Sequence, residues 1–252
     1  MSGHSKWSTI KRKKATADAK RGKLFTKLGK EISIAAREGG ADSDTNFKLR
    51  LAIEKAKAAN MPKDNIERAV RRGAGMEKGS ALEEVSYEGY GPHGVALLVQ
   101  VLTDNRNRAV SEVRRTFTKH GGNLGEVGCV AWLFESKGYF TVEPNDHGSE
   151  QLFDVAVEAG AEDVIISDDL VEIYTDLNDF SQVRDALHVE GITLGSAQLS
   201  MIPKSLVTLE AKETIQVMSL IDALEELDDV QEVYSNLDIA DEIMLKYEQE
   251  KP

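Results

Sequence analysis

Residues able to do covalent chemistry are scattered along this sequence, whereas residues able to hold phosphate are gathered at one end. His4, His93, His120, His147 and His188 share no metal-ligand spacing and have no nearby cysteine. Cys129 is the single cysteine, which excludes an intramolecular disulfide framework and a multi-cysteine zinc site. It sits in the apolar run Val127 to Phe134, of which Cys129–Phe134 is read as a strand, where a buried and inert thiol is expected. No G-x-S-x-G nucleophile elbow occurs. Gly89-Tyr90-Gly91-Pro92-His93-Gly94 matches G-x-G-x-x-G, yet a strand-like run follows it where a dinucleotide site needs a helix, so a β-hairpin connection is expected. The acids Asp168-Asp169 and Glu225-Glu226-Leu227-Asp228-Asp229 fall at expected turns and helix ends, the usual place of a solvated face. No catalytic constellation, cofactor site or metal site is expected, and the chain does not read as an enzyme.

The phosphate-binding chemistry lies at the N-terminus. The first thirty residues carry ten Lys/Arg against one acid, Asp18. Residues 1–80 have a net charge of +11 and residues 81–252 one of −23, within a total of −12. A basic end on an acidic body points to a polyanion partner. Lys6, Lys11, Arg12, Lys13, Lys14, Lys20, Lys23, Lys27 and Lys30 are the candidate phosphate contacts. Trp7 among them can stack on an unpaired base or pack on its own domain. Arg106 and Arg108, with Arg114 and Arg115, form the largest basic cluster of the acidic body, fit either for a second phosphate contact or for internal salt bridges. Thr103-Asp104-Asn105 before them suits a turn and a helix cap.

Those residues need elements to hold them. Residues 1–20 lack a sustained apolar stripe until about Asp18 and read as an extended, mobile arm. Leu24, Phe25, Leu28, Ile32 and Ala35 then recur at helical spacing up to Gly39-Gly40, a C-cap signal. On that helix Lys20, Lys23, Lys27 and Lys30 project to a separate face. A second helix over Asp44 to Ala59 ends at Asn60-Met61-Pro62, and Pro62 opens a third that closes at Arg71-Arg72-Gly73. The tight second junction resembles a helix-turn-helix. Residues 21–79 thus form a helical domain, closed by a glycine-rich linker.

Beyond it the pattern becomes mixed. Residues 137–203 read strand, helix, strand, strand, helix, strand, the ferredoxin-like order. Residues 80–136 with 204–240 form a related α+β unit into which that segment is inserted. The fold class expected is therefore α+β: a three-helix domain followed by two ferredoxin-like domains, the second inserted in the first. No apolar stretch approaches the ~20 residues of a membrane span, and no secretory signal precedes the arm. With the lone cysteine, this places the expected location in the cytoplasm, without a membrane partner.

The long motifs Met1-Ser2-Gly3-His4-Ser5-Lys6-Trp7-Ser8-Thr9-Ile10-Lys11, Gly22-Lys23-Leu24-Phe25-Thr26-Lys27 and Asn60-Met61-Pro62-Lys63-Asp64-Asn65-Ile66-Glu67-Arg68-Ala69 resemble those of the YebC/PmpR family. Tyr87 to Pro92, Leu102 to Arg108 and Gly121-Gly122 add to them, and the resemblance runs from residue 1 to about 240. It implies three domains, the last inserted, and a cytoplasmic, non-enzymatic role. Bacterial members are described as transcriptional regulators that bind promoter DNA. Other members, including the mitochondrial translational activator of cytochrome c oxidase, act in translation and relieve stalls at proline-rich stretches.

Three functions remain open on this reading. The first is a DNA-binding transcriptional regulator engaged through the arm and the lysine face. The second binds ribosomal RNA or tRNA with the same residues and regulates translation. The third is a protein-interaction scaffold whose arm folds back on its own acidic surface.

Overall fold

From Asp18 onward the apolar period of about 3.6 residues is realised as helix. The computed structural model describes residues 18–76, 82–143, 148–167 and 170–250. Helix α1 (Asp18–Gly39) buries Leu28, Ile32, Ala35 and Ala36 against Leu49, Ala52 and Ala56 of α2 (Phe47–Ala58) and Ile66 and Ala69 of α3 (Lys63–Gly73). Gly40 takes a left-handed φ of 89° and ends α1, as the Gly-Gly pair indicated. Asn46 joins the first two helices. Its Oδ1 accepts from Leu49 N at 3.1 Å, and its Nδ2 donates to Ala35 O at 2.7 Å and Gly40 O at 2.8 Å. The second helix therefore starts at this cap and not at Asp44. Pro62 occupies the N-cap of α3, one position outside the first turn expected for it. Ser33 Oγ donates to Ala69 O at 2.9 Å, and α3 closes on Gly73, which packs so tightly on α1 that any Cβ there would collide with Ser33 O and Ala36.

After the helices, β1 (Glu83–Tyr90) and β2 (Ala96–Thr103) form an antiparallel hairpin with Tyr90 opposite Ala96. The glycine motif is the hairpin loop, closed by Gly91 N donating to Val95 O at 2.8 Å; it holds a single 3-10 turn over Pro92–Gly94, and strand β2 follows it where a dinucleotide site needs an α-helix. Helix α4 (Arg106–Lys119) is capped by Asn105, whose side chain accepts from Arg108 N, and leads to the two-residue β3 (Asn123–Leu124).

The expected strand at Cys129–Phe134 is not formed. Residues 127–130 are turn and bend, followed by a 3-10 turn over Ala131–Leu133. The cause is Glu88. Its buried carboxylate accepts from Gly128 N at 2.7 Å, Val130 N at 2.8 Å and Ala131 N at 2.7 Å, so these amides meet a side chain and no neighbouring strand. Burial favours the neutral acid, but the three N–H groups prevail and hold the Glu88 pKa below the usual carboxylate range. Cys129 is half-buried, less than expected. Burial, with Glu88 nearby, pushes its thiol pKa up, which keeps it protonated.

Residues Leu133–Ser205 form one compact unit, and the residues on either side form the other. The inserted unit consists of β4 (Phe134–Val142), α5 (Ser149–Glu158), β5 (Ala161–Ile166), β6 (Val171–Thr175), α6 (Phe180–Val189) and β7 (Leu194–Pro203). Its antiparallel sheet runs β5-β6-β4-β7, the ferredoxin-like order read from the sequence. Phe140 stacks on Phe180 of α6 at 4.5 Å between ring centroids. Glu172, buried, accepts from Tyr139 OH at 2.7 Å and Tyr174 OH at 3.1 Å.

The chain then returns through β8 (Val207–Thr208), α7 (Ala211–Glu225), β9 (Val230–Ser235) and β10 (Leu237–Asp238). The first sheet runs β3-β1-β2-β9, with Val95, Leu97, Val99 and Val101 packed under α4 and α7. Both sheets have the same order in space. The difference is that β1, in the place of β6, precedes β2 as a hairpin and does not follow β3. A last helix, α8 (Asp241–Glu250), lies beyond the expected domain end at 240. It packs Met244 on this core, and Tyr247 OH donates to Asp222 Oδ2 at 3.0 Å.

Candidate nucleic-acid interface

The lysine face of α1 has a partner within the chain. Helix α7 and the turn after it carry four acids, Glu225 and its C-cap Glu226 at the helix end, then Asp228 and Asp229, beside the negative end of the dipole, where carbonyls lack intrahelical donors. Lys27 Nζ donates to Glu225 O at 2.6 Å and Lys23 Nζ to Glu226 O at 3.2 Å. Lys30 Nζ donates to Asp228 O at 2.9 Å and to Asp229 Oδ1 at 2.6 Å. Lys23 also stands 3.9 Å from the exposed Asp228 carboxylate. Two of the lysines expected to contact phosphate thus cap α7, and a third, Lys30, holds the turn that follows it.

Asp229 is the centre of this contact, and it is not the solvated acid expected at that turn: only 5% of it is exposed. Besides Lys30 it accepts from Arg108 Nη2 at 2.7 Å and Thr103 Oγ1 at 2.9 Å. Burial would raise its pKa, but these three donors hold it below the usual carboxylate value. Arg108 also reaches Asp104 Oδ1 at 2.9 Å, so the internal salt-bridge role left open for it is the one observed. Arg106 is exposed, its Nε 3.9 Å from Glu83 Oε2. Farther along the same module, Lys55 of α2 bridges Glu31 of α1 at 3.0 Å and Glu232 of β9 at 3.3 Å.

Lys6, Trp7, Lys11, Arg12, Lys13 and Lys14 lie outside the described residues; Lys20 lies on α1 with its side chain outside them. The described part of the helical module nevertheless offers cations that sequence reasoning did not single out. Arg68 and Arg72 are exposed, one turn apart on α3, and neither has an ion pair to a described residue. Their i, i+4 spacing in Glu67-Arg68-Ala69-Val70-Arg71-Arg72 was the available signal. With Asn65 they line a groove of about 1060 Å³, which α1 borders through Lys23, Thr26 and Lys30. Asp104, Arg108 and the acidic turn Glu226–Asp229 also line it, so cations and acids meet in one groove. Among the described residues no cluster of His, Cys, Asp or Glu could hold a metal ion, and no helix is long and apolar enough to cross a membrane.

Residues 5–76 match the TACO1/YebC protein N-terminal domain, and residues 82–237 the TACO1/YebC second and third domain. The chain belongs to the TACO1/YebC family. A probable transcriptional regulatory protein of Trichlorobacter lovleyi is 56% identical over 98% of this chain and 99% of its own length. One of Dictyoglomus turgidum is 56% identical over 97% and 98%. The crystal structure of a conserved hypothetical protein from Aquifex aeolicus superimposes with a TM-score of 0.82 at 49% identity, covering 89% of this chain and 93% of that one. The family and the mixed α+β fold class stand as the sequence motifs implied, and the names carried by the YebC relatives support a regulatory role.

Proposed function

We propose that this chain is a nucleic-acid-binding regulator, engaging the phosphates of duplex DNA through its basic arm and the arginine face of α3. The observation that carries this reading is the exposure of Arg68 and Arg72 on a helix that follows a tight helical turn. The arm residues Lys6, Lys11, Arg12, Lys13 and Lys14 supply further cations, and Lys20 and Arg106 extend the basic surface. Contacts of this kind give affinity and register and carry little sequence information. Binding should therefore be strongly salt-dependent and weakly sequence-dependent.

The test is a salt titration of binding to duplex DNA. Each phosphate contact contributes about 0.9 to the slope of log affinity against log salt. Arg68→Ala with Arg72→Ala should lower the slope by about 2. Charge reversal at residues 11–14 should lower it further. Unchanged slopes in both variants refute the reading.

Folded RNA of the ribosome or tRNA is the second target, favoured by Trp7. An indole stacks on an unpaired base, worth about 1–3 kcal/mol, which a closed duplex does not offer. Trp7→Ala weakening RNA binding while leaving duplex DNA binding unaltered selects the translational reading. Co-sedimentation with ribosomes, lost on removal of residues 1–20, would then follow.

A further inference from the structure

We propose that the acidic turn ending α7 is an internal competitor for nucleic acid, holding the lysine face of α1 until a polyanion displaces it. This rests on the reading of the chain as a nucleic-acid binder and assigns that site a built-in regulation.

The geometry is that of a phosphate surrogate. Glu225 O, Glu226 O and Asp228 O receive Lys27, Lys23 and Lys30 at 2.6, 3.2 and 2.9 Å. A row of backbone carbonyl oxygens, with the Asp229 carboxylate at 2.6 Å from Lys30 and that of Asp228 at 3.9 Å from Lys23, thus meets lysines spaced along one helical face, as the oxygens of a phosphate backbone would. The helix dipole adds its negative end to the carboxylates of Glu225, Glu226, Asp228 and Asp229. The contact is graded. Lys23 and Asp228 have side chains 56% and 74% exposed, whereas Lys30 and Asp229 have only 17% and 6%. An incoming polyanion can compete first at Lys23, which also lines the groove beside Arg68 and Arg72. Displacement then reaches Lys30. Asp229 keeps Arg108 and Thr103 as donors, so it is not left as an unpaired buried charge when Lys30 leaves. An isolated structural ion pair would lack that second set of donors.

Two measurements on the full chain decide it. A zero-length carbodiimide reagent joins Lys23 to Asp228 as an amide in the free protein, with the yield read by mass spectrometry of the linked peptides. Saturating duplex DNA or folded RNA should reduce that yield several-fold. Asp228→Asn, an exposed change, and Asp229→Asn should bind tighter than the parent chain, by about tenfold for the second. Their salt slopes should be steeper, by up to about 0.9 for each lysine released. Far-UV circular dichroism checks that Asp229→Asn is folded, and Asp228→Asn carries the test if it is not.

Binding by the parent chain with unchanged cross-linking and unchanged affinity in both variants overturns the competitor and leaves the binding function standing. Binding by the variants alone supports the competitor in its strongest form. Binding by none of the three proteins overturns both.

Discussion

Replacing Glu88 by Gln should loosen the loop over residues 125–132 without disturbing the sheet beneath it. In the native chain two carboxylate oxygens accept three backbone N–H groups, at 2.7 to 2.8 Å. A glutamine presents one oxygen and one NH2 group in the same space. If its oxygen stays with Val130 and Ala131, the NH2 group faces Gly128 N, donor against donor; the opposite flip sets it against two donors. At least one amide is left unsatisfied at about 1–3 kcal/mol, and the surviving bonds lose their charge assistance. The expected cost is about 2–4 kcal/mol of local opening free energy, which is a rise of about 30-fold to 1,000-fold in amide exchange. Hydrogen exchange at Gly128, Val130 and Ala131 reads this directly. Trp132, whose Nε1 donates to Cys129 O at 3.1 Å, should report the same loosening in its fluorescence. The native carboxylate has a depressed pKa, so its contribution is fully present above the ordinary value of about 4.3. It is lost as pH falls through the lower folded value. The glutamine variant should lack that acid transition. Exchange at the three amides within threefold of the native rate would refute the account of the loop.

Three further outcomes follow from the packing. Gly73→Ala places a Cβ against Ser33 O and Ala36, and should lower the stability of the helical module by about 1–3 kcal/mol in thermal unfolding. Phe140→Ala removes the ring stacked on Phe180 and should cost the inserted unit about 3–5 kcal/mol in urea, with amide exchange in α1–α3 unaffected. Asp229 has a depressed folded pKa, so its hold on Lys30 and Arg108 is complete above about 3.9 and lost as pH falls through the lower folded value. Amide exchange in α1 should rise across that acid interval, and Asp229→Asn should remove the transition.

The sequence reveals most where one element's own periodicity carries the information. The stripe Leu24, Leu28, Ile32 and Ala35 shows a helix and its buried side, and Gly40 shows its end. The ferredoxin-like order of residues 134–203 is legible because its six segments follow one another without interruption. Hidden features depend on residues far apart. Glu88 organises residues 128–131 from forty positions away, converting an apolar run that reads as a strand into a loop. The two-residue β3 has no period to detect, and α8 becomes ordered by packing on a core built from residues 95–239.

The lysine face shows the same division more sharply. Helical projection correctly puts Lys23, Lys27 and Lys30 on one side of α1, but it cannot say what that side meets. The partner oxygens are 198 to 203 positions away. Likewise Glu225-Glu226-Leu227-Asp228-Asp229, read alone, is a charged helix end that should be solvated. Each segment is unfavourable by itself, the cations Lys23, Lys27 and Lys30 along one helix and four acids at and just beyond the negative end of another. Brought together, Lys30 pairs with Asp229 and Lys23 stands near Asp228, and Asp229 can be buried because Lys30, Arg108 and Thr103 all reach it. Such a contact weakens when salt screens its exposed members and persists at its buried centre. Rising ionic strength should therefore free Lys23 while Lys30 stays bound. Nucleic acid would then have to compete mainly for the inner pair, which makes Asp229 the residue that sets the threshold for release.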